Sequence, residues 1–181
     1  RFDSLRAPEA ALRRWLNAAA LVRPAALEGT VVTTASPSPV EQALVRWDPA
    51  WFARQELEER AQTGLPPAVR TAAVTGAEAD VRAFMEEFLG SSALDERVRE
   101  QLRIVGPVPL DQGYFAWSES LVEDSEEAPV QGDWRTLMFF SYSIARQVTR
   151  ELRATRATIA ALKKNVGERP VQIRCDGLDV L

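Results

Sequence analysis

The stretch Glu56 to Pro67, ELEERAQTGLPP, decides how the chain divides. It is an acidic helix end that stops at Gly64 and Pro66-Pro67, because glycine accommodates the left-handed stop of a helix and proline cannot continue one. It feeds directly into AVRTAAVTG at 68–76, which the β-prone residues mark as a strand. Upstream, Ala7 to Val22 is helical in pattern, with Leu12, Trp15, Leu16, Ala19 and Val22 three and four apart. Pro24 stops it, and Gly29 precedes TVVTT, a β-branched run read as a strand from Thr30. Ser38, Pro39 and Glu41 form a capping-box start, and Asp48-Pro49 starts the helix that runs to Gln62.

Downstream the pattern is β-α-β and then β-α-β. The expected elements are a strand at Ala68 to Thr75, a helix at Glu78 to Leu89 striped by Val81, Phe84, Met85 and Phe88, and a strand at Val98 to Val105 broken by Gly106-Pro107. A buried strand follows at Thr136 to Ser141, then a long helix at Ile144 to Lys164 and a last strand at Val171 to Cys175. Two such units form a small α+β sandwich, with helices on one face of a mainly antiparallel sheet. Between them Tyr114, Phe115 and Trp117 suggest an extra hairpin strand, with the acidic residues Glu123 to Glu127 at its tip.

Composition narrows the chemistry. The 181 residues, 46% hydrophobic and 27% charged, have the makeup of an ordinary globular protein, expected to be cytoplasmic. The chain opens on Arg1 rather than Met, so we expect it to be cut from something larger. No apolar run approaches the roughly 20 residues of a membrane span. With no histidine and the single Cys175, a histidine base, a Ser-His-Asp triad and a Cys/His zinc site are excluded within this sequence. Cys175 reads as a small residue in a strand. The net charge of −4 conceals polarity: from Ser141 to Arg174 there are eight basic residues against Glu151 and Glu168, and from Asp111 to Asp133 seven acids and no base. Such a split can present a cationic face despite an acidic average.

The ELEERAQTGLPP junction, RIVGPVPL at Arg103 to Leu110, the strand-helix pair from Thr136 to Leu162 and the closing VQIRCDGLDVL resemble the C-terminal region of the primosomal protein N-prime (PriA) family, the bacterial replication-restart DNA helicases. That family has an E-L-x-E-R-x-x-x-G-x-P-P segment leaving the helicase core, a V-x-G-P-x-P turn and a D-x-D-P-like closing strand. The resemblance implies three parts: 1–47 as the end of a second, α/β helicase-like lobe, 48–66 as a connecting helix, and 67–181 as a compact α+β domain similar to a small-subunit ribosomal protein. It also implies that ATP, magnesium and zinc are bound upstream, and we expect no cofactor here. No phosphate-binding glycine loop is present, and the only lysines are Lys163 and Lys164.

One departure from the family bears on activity. Related helicases carry Q-x-x-G-R-x-G-R in the second lobe, where the arginines stabilise the transferring phosphoryl group. Laid without gaps between Arg14 and Thr30, the motif falls on LNAAALVR, Leu16 to Arg23: Leu16 replaces the glutamine, Ala19 and Val22 the glycines, Ala20 the first arginine, and Arg23 alone is kept. The resemblance is therefore to the helicase-deficient members found in high-GC Gram-positive bacteria. A generic amphipathic helix is the bland alternative.

The long helix carries the candidate binding site. Ile144, Val148, Leu152, Thr155, Ile159 and Leu162 make one apolar stripe, while Arg146, Arg150, Arg153 and Lys164 project away from it, flanked by Arg156 and Lys163. The whole set suits a DNA backbone; Arg146 and Arg150, one turn apart, suit an acidic peptide. The resemblance implies both partners: branched or forked DNA, and the acidic C-terminal tail of single-stranded-DNA-binding protein, together with primosome and replisome loading proteins in a nucleoid-associated complex. No residue of this chain is expected to perform bond chemistry, and whether a longer protein that contains it is an active helicase stays open. Three other assignments stay open: a solvated helix face, the passive tail of an active ATP-dependent 3'-5' helicase, and a structural or small-molecule-sensing α+β module. Trp15, Trp47, Trp51 and Phe52 are read as packing rather than as base-stacking platforms. The Glu123 to Glu127 loop lacks calcium-site spacing, and folding over the arginine face is a further possibility for it.

Overall fold

A computed structural model describes residues 5–110, 133–162 and 171–176 of the chain, which form two compact units, one up to Thr63 and one from Gly64. The first unit contains α1 (Ala7–Ala19), a 3-10 turn (Ala25–Leu27), α2 (Pro39–Arg46) and α3 (Pro49–Thr63). The expected start signals act as such. Ser38 Oγ accepts the Glu41 N–H at 3.2 Å with Pro39 in the first turn, and Asp48 Oδ1 accepts the Trp51 N–H at 2.8 Å. Both satisfy amides that a helix start leaves without a partner.

Leu12, Ala43, Leu44 and Phe52 form the small core of this unit, with Trp15, Leu16 and Trp51 packed against it. Phe52 is fully buried, whereas Trp47 is largely exposed at a left-handed helix end. Arg60 is buried and ties α3 to α1 by binding Glu9 at 2.8 Å, Glu56 at 2.7 Å and the Leu5 carbonyl at 2.7 Å. Two expectations are corrected here. The first helix ends at Ala19 instead of Val22, because Leu21 and Val22 donate to carbonyls only three residues back and tighten the chain into turns. Thr30 to Thr34 is not a strand: it pairs with nothing in a sheet, and Val31 and Val32 are exposed. β-branched residues favour a strand only where a ladder partner exists.

The second unit follows Gly64, whose φ of +64° ends α3 in the left-handed conformation that the sequence anticipated. Its elements are β1 (Arg70–Gly76), α4 (Glu78–Gly90), α5 (Glu96–Glu100), β2 (Arg103–Pro109), β3 (Trp134–Phe140), α6 (Ala145–Leu162) and β4 (Gln172–Cys175). The four strands form one sheet in the order β2-β3-β1-β4, with every neighbouring pair antiparallel. Since β3 lies between β1 and β2, those two run parallel without touching. This is the ferredoxin-like split arrangement of two β-α-β units.

α4 and α6 cover one face of this sheet. Val81, Phe84, Met85 and Phe88 from α4, with Ile144, Val148 and Leu152 from the second helical segment, meet Ala72, Val74, Met138 and Phe140 from the strands. Of the stripe anticipated on the long helix, Ile144, Val148, Leu152 and Thr155 are buried and Ile159 is half-buried. Residues 96–100, part of the expected strand from Val98, form a short helix instead, because Asp95 Oδ1 accepts the Val98 N–H at 2.8 Å and caps it. The strand proper begins at Arg103. At the Gly106-Pro107 break the β2-β3 register shifts, and Gly106 takes a φ of +106°. A Cβ there would sit 2.6 Å from the Arg135 carbonyl oxygen, so only glycine lets the bulged strand approach β3 this closely. The hairpin anticipated around Tyr114, Phe115 and Trp117, and the acidic run Glu123 to Glu127, lie outside the described residues.

Candidate functional site: an arginine-rimmed groove

A groove of about 600 Å³ runs between α6, the start of β1 and β4 in the second unit. The buried Ala145 and Leu152 back it, the half-buried Ile173 supplies apolar surface, and Arg146, Arg153 and Arg156 line it from the helix. Helical geometry explains why these three converge and Arg150 does not. Arg153 and Arg156 lie about 20° and about 80° from Arg146 in one direction around the helix, toward the groove, whereas Arg150 sits about 40° from it in the opposite direction. Arg150 is exposed and outside the groove lining, so Arg146 and Arg150 do not share one cleft. Among the described residues, no carboxylate lies within ion-pair distance of Arg146, Arg150, Arg153 or Arg156. Lys163 and Lys164 lie outside the described residues.

The other wall contains residues that sequence reasoning did not select. Arg70 donates from Nε to Asp176 Oδ2 at 2.6 Å, and its second guanidinium nitrogen reaches the same oxygen. Asp176 Oδ1 accepts the Thr71 N–H at 3.0 Å, and the Asp176 N–H returns to the Thr71 carbonyl at 2.9 Å. Asp176 makes this turn with a φ of +51°, a conformation that aspartate tolerates better than most residues. Burial pushes its carboxyl pKa upward, but the hydrogen bonds from Arg70 and Thr71 with the Arg70 charge outweigh this and hold it below the ordinary range. The guanidinium of Arg70 is correspondingly raised, chiefly by its hydrogen bond to Asp176.

Arg70 also stacks over the Tyr142 ring, 5.8 Å from its centroid, and the Tyr142 hydroxyl donates to the Pro67 carbonyl at 2.9 Å. The ring is held at both ends yet 59% exposed. Cys175 lines the groove beside these groups. Burial, with the Asp176 charge, pushes its thiol above the ordinary value, against the opposing pull of Arg70 and Arg153. Such a thiol is a poor nucleophile at neutral pH.

The Leu16 to Arg23 segment belongs to the first unit. Leu16 and Ala19 pack against the core of the first unit, and Leu21 is exposed. Among the described residues no cluster of Cys, Asp and Glu has the makings of a metal site, and no helix is long and apolar enough to cross a membrane.

Fold and groove together define a ferredoxin-like α+β module that offers a cationic, partly apolar cleft. Comparison with known proteins is consistent with this and more specific. The model of the primosomal protein N C-terminal domain matches residues 61–178, and the chain belongs to that family. It is similar to the probable replication restart protein PriA of Mycobacterium tuberculosis, at 44% identity over 112 residues, and to that of Mycobacterium leprae at the same identity. The aligned stretch covers 61% of this chain and 16% of either relative, so the chain corresponds to a small part of their length.

Proposed function

We propose that this chain is the DNA-binding and protein-interaction region of a replication-restart protein that recognises stalled or branched forks. The observation that carries the reading is the set of exposed arginines on α6, Arg146, Arg150, Arg153 and Arg156, which have no carboxylate within ion-pair distance among the described residues. Arginine held in this way donates to phosphate oxygens in a fixed fork, and each phosphate contact releases counterions. On this reading Lys163 and Lys164 extend the same cationic run, the chain works in the cytoplasm at the nucleoid, and it holds no cofactor. Changing Arg146, Arg153 and Arg156 together to alanine weakens fork binding measured by fluorescence anisotropy. Undiminished binding in that variant refutes the assignment.

The proposal includes a protein without DNA unwinding, supported by the replacement of the arginine-bearing motif at Leu16 to Arg23. The alternative is the passive end of an active 3'-5' helicase, and intact phosphate-loop and magnesium motifs upstream decide for it. A second ligand is supported by the apolar surface that accompanies Arg146: an acidic peptide with an apolar end, such as the C-terminal tail of single-stranded-DNA-binding protein. Primosome and replisome loading proteins complete the expected partners.

A further inference from the structure

We infer that the groove between α6, β1 and β4 takes an unpaired stretch of single-stranded DNA, with a base on the exposed Tyr142 ring and the adjoining phosphates on Arg146 and Arg153. The inference rests on the fork-recognition reading and names the part of the fork that this cleft receives. Non-specific single-strand sites combine an aromatic platform with a cationic track, because every base has a π-face and every linkage a charge. Both parts are present and held in place. Tyr142 is fixed through its hydroxyl by the Pro67 carbonyl, Arg70 covers the ring from one side, and Asp176 fixes Arg70 in turn. The charge of Asp176 is thereby spent on Arg70, while Arg146 and Arg153 keep theirs for a ligand.

Arg146 and Arg153 are seven residues apart on one side of α6, about 10 Å along the axis. Apolar surface from the half-buried Ile173 lies beside them. A duplex presents only phosphates and groove edges to such a cleft, and an apolar surface gives them nothing. An unstacked nucleotide uses both the ring and the apolar surface.

Cys175, the single cysteine of the chain, lines this groove and reports its occupancy without mutation. The test is the rate of Cys175 alkylation by a maleimide, at a pH high enough to form the thiolate, in the full chain with saturating oligothymidylate, blunt duplex or an acidic peptide. Oligothymidylate is expected to slow the reaction and blunt duplex to leave it unchanged. In parallel, Tyr142→Ala lowers oligothymidylate affinity about tenfold, and Tyr142→Phe, which keeps the ring, stays near wild type. Neither change alters duplex affinity. Circular dichroism of both variants separates a binding loss from unfolding.

Unchanged alkylation with the oligonucleotide bound overturns the inference. So does protection by the acidic peptide and not by the oligonucleotide, which assigns the cleft to a protein partner. If the arginine changes weaken fork binding but Tyr142→Ala leaves single-strand affinity intact, fork recognition stands and the groove assignment falls. Absence of any DNA binding at low salt overturns both.

Discussion

Replacing Asp176 separates its contact with Arg70 from its hydrogen bond to the Thr71 amide. In Asp176→Asn the side-chain oxygen can still accept the Thr71 N–H, and asparagine tolerates the left-handed φ of +51°. The ion pair with Arg70 is lost together with the hydrogen bond from its Nε, because an amide nitrogen takes the place of the accepting Oδ2. Both partners are partly exposed, at 32% and 41%, so that loss costs about 0.5 to 1 kcal/mol at neutral pH. Asp176→Ala also removes the acceptor from the amide of the buried Thr71 and places alanine at positive φ, so it costs roughly 2 to 3 kcal/mol.

The pH dependence has a definite sign. The folded-state pKa of Asp176 is lowered, so its contribution is complete above the unfolded carboxylate value near about 4 and is lost as pH falls through the folded value. The raised pKa of Arg70 leaves it charged throughout that window. The stability gap between wild type and Asp176→Asn therefore narrows on acidification, and urea-unfolding midpoints across a pH series measure it. A gap that widens as pH falls, or equal costs for asparagine and alanine, refutes this account of the latch.

Two further changes probe the scaffold. Arg60→Ala leaves Glu9 and Glu56 without their shared cation inside the first unit and costs about 3 kcal/mol, because Arg60 is buried although Glu9 is 43% exposed; urea denaturation followed by tryptophan fluorescence reads this in the tryptophan-rich first unit. Gly106→Ala forces a Cβ against the Arg135 carbonyl at a φ of +106° and destabilises by about 3 kcal/mol or more, which a thermal melt records as a large drop in midpoint.

Most of the fold was legible because its signals are local. Gly64 and the prolines after it, the Ser38 cap, and the apolar stripes of α4 and α6 each lie within a few residues of the structure they specify. Where local reading failed, a tertiary partner or an overlooked cap decided the outcome. The TVVTT run has strand composition but no ladder partner, and Asp95 gives residues 96–100 a helix start that the β-branched Val98 obscured.

The site was legible by half. Arginines on one helix announce themselves through spacing, so Arg146, Arg153 and Arg156 could be selected from sequence. Arg70, Tyr142 and Asp176 could not, since Arg70 meets a residue 106 positions away and Tyr142 donates to one 75 positions away. The antiparallel pairing of β1 with β4 is what brings Asp176 to Arg70. No motif foretold that the helix arginines border a cleft with an aromatic wall.

The most direct test of fork recognition by α6 is the salt dependence of binding to a labelled three-way fork, compared between wild type and the Arg146→Ala, Arg153→Ala, Arg156→Ala triple variant. Each phosphate contact contributes about 0.9 to the slope of log affinity against log salt, so removing three contacts flattens the slope by about 2.7. A triple variant that binds with the wild-type slope contradicts the account, whatever its absolute affinity.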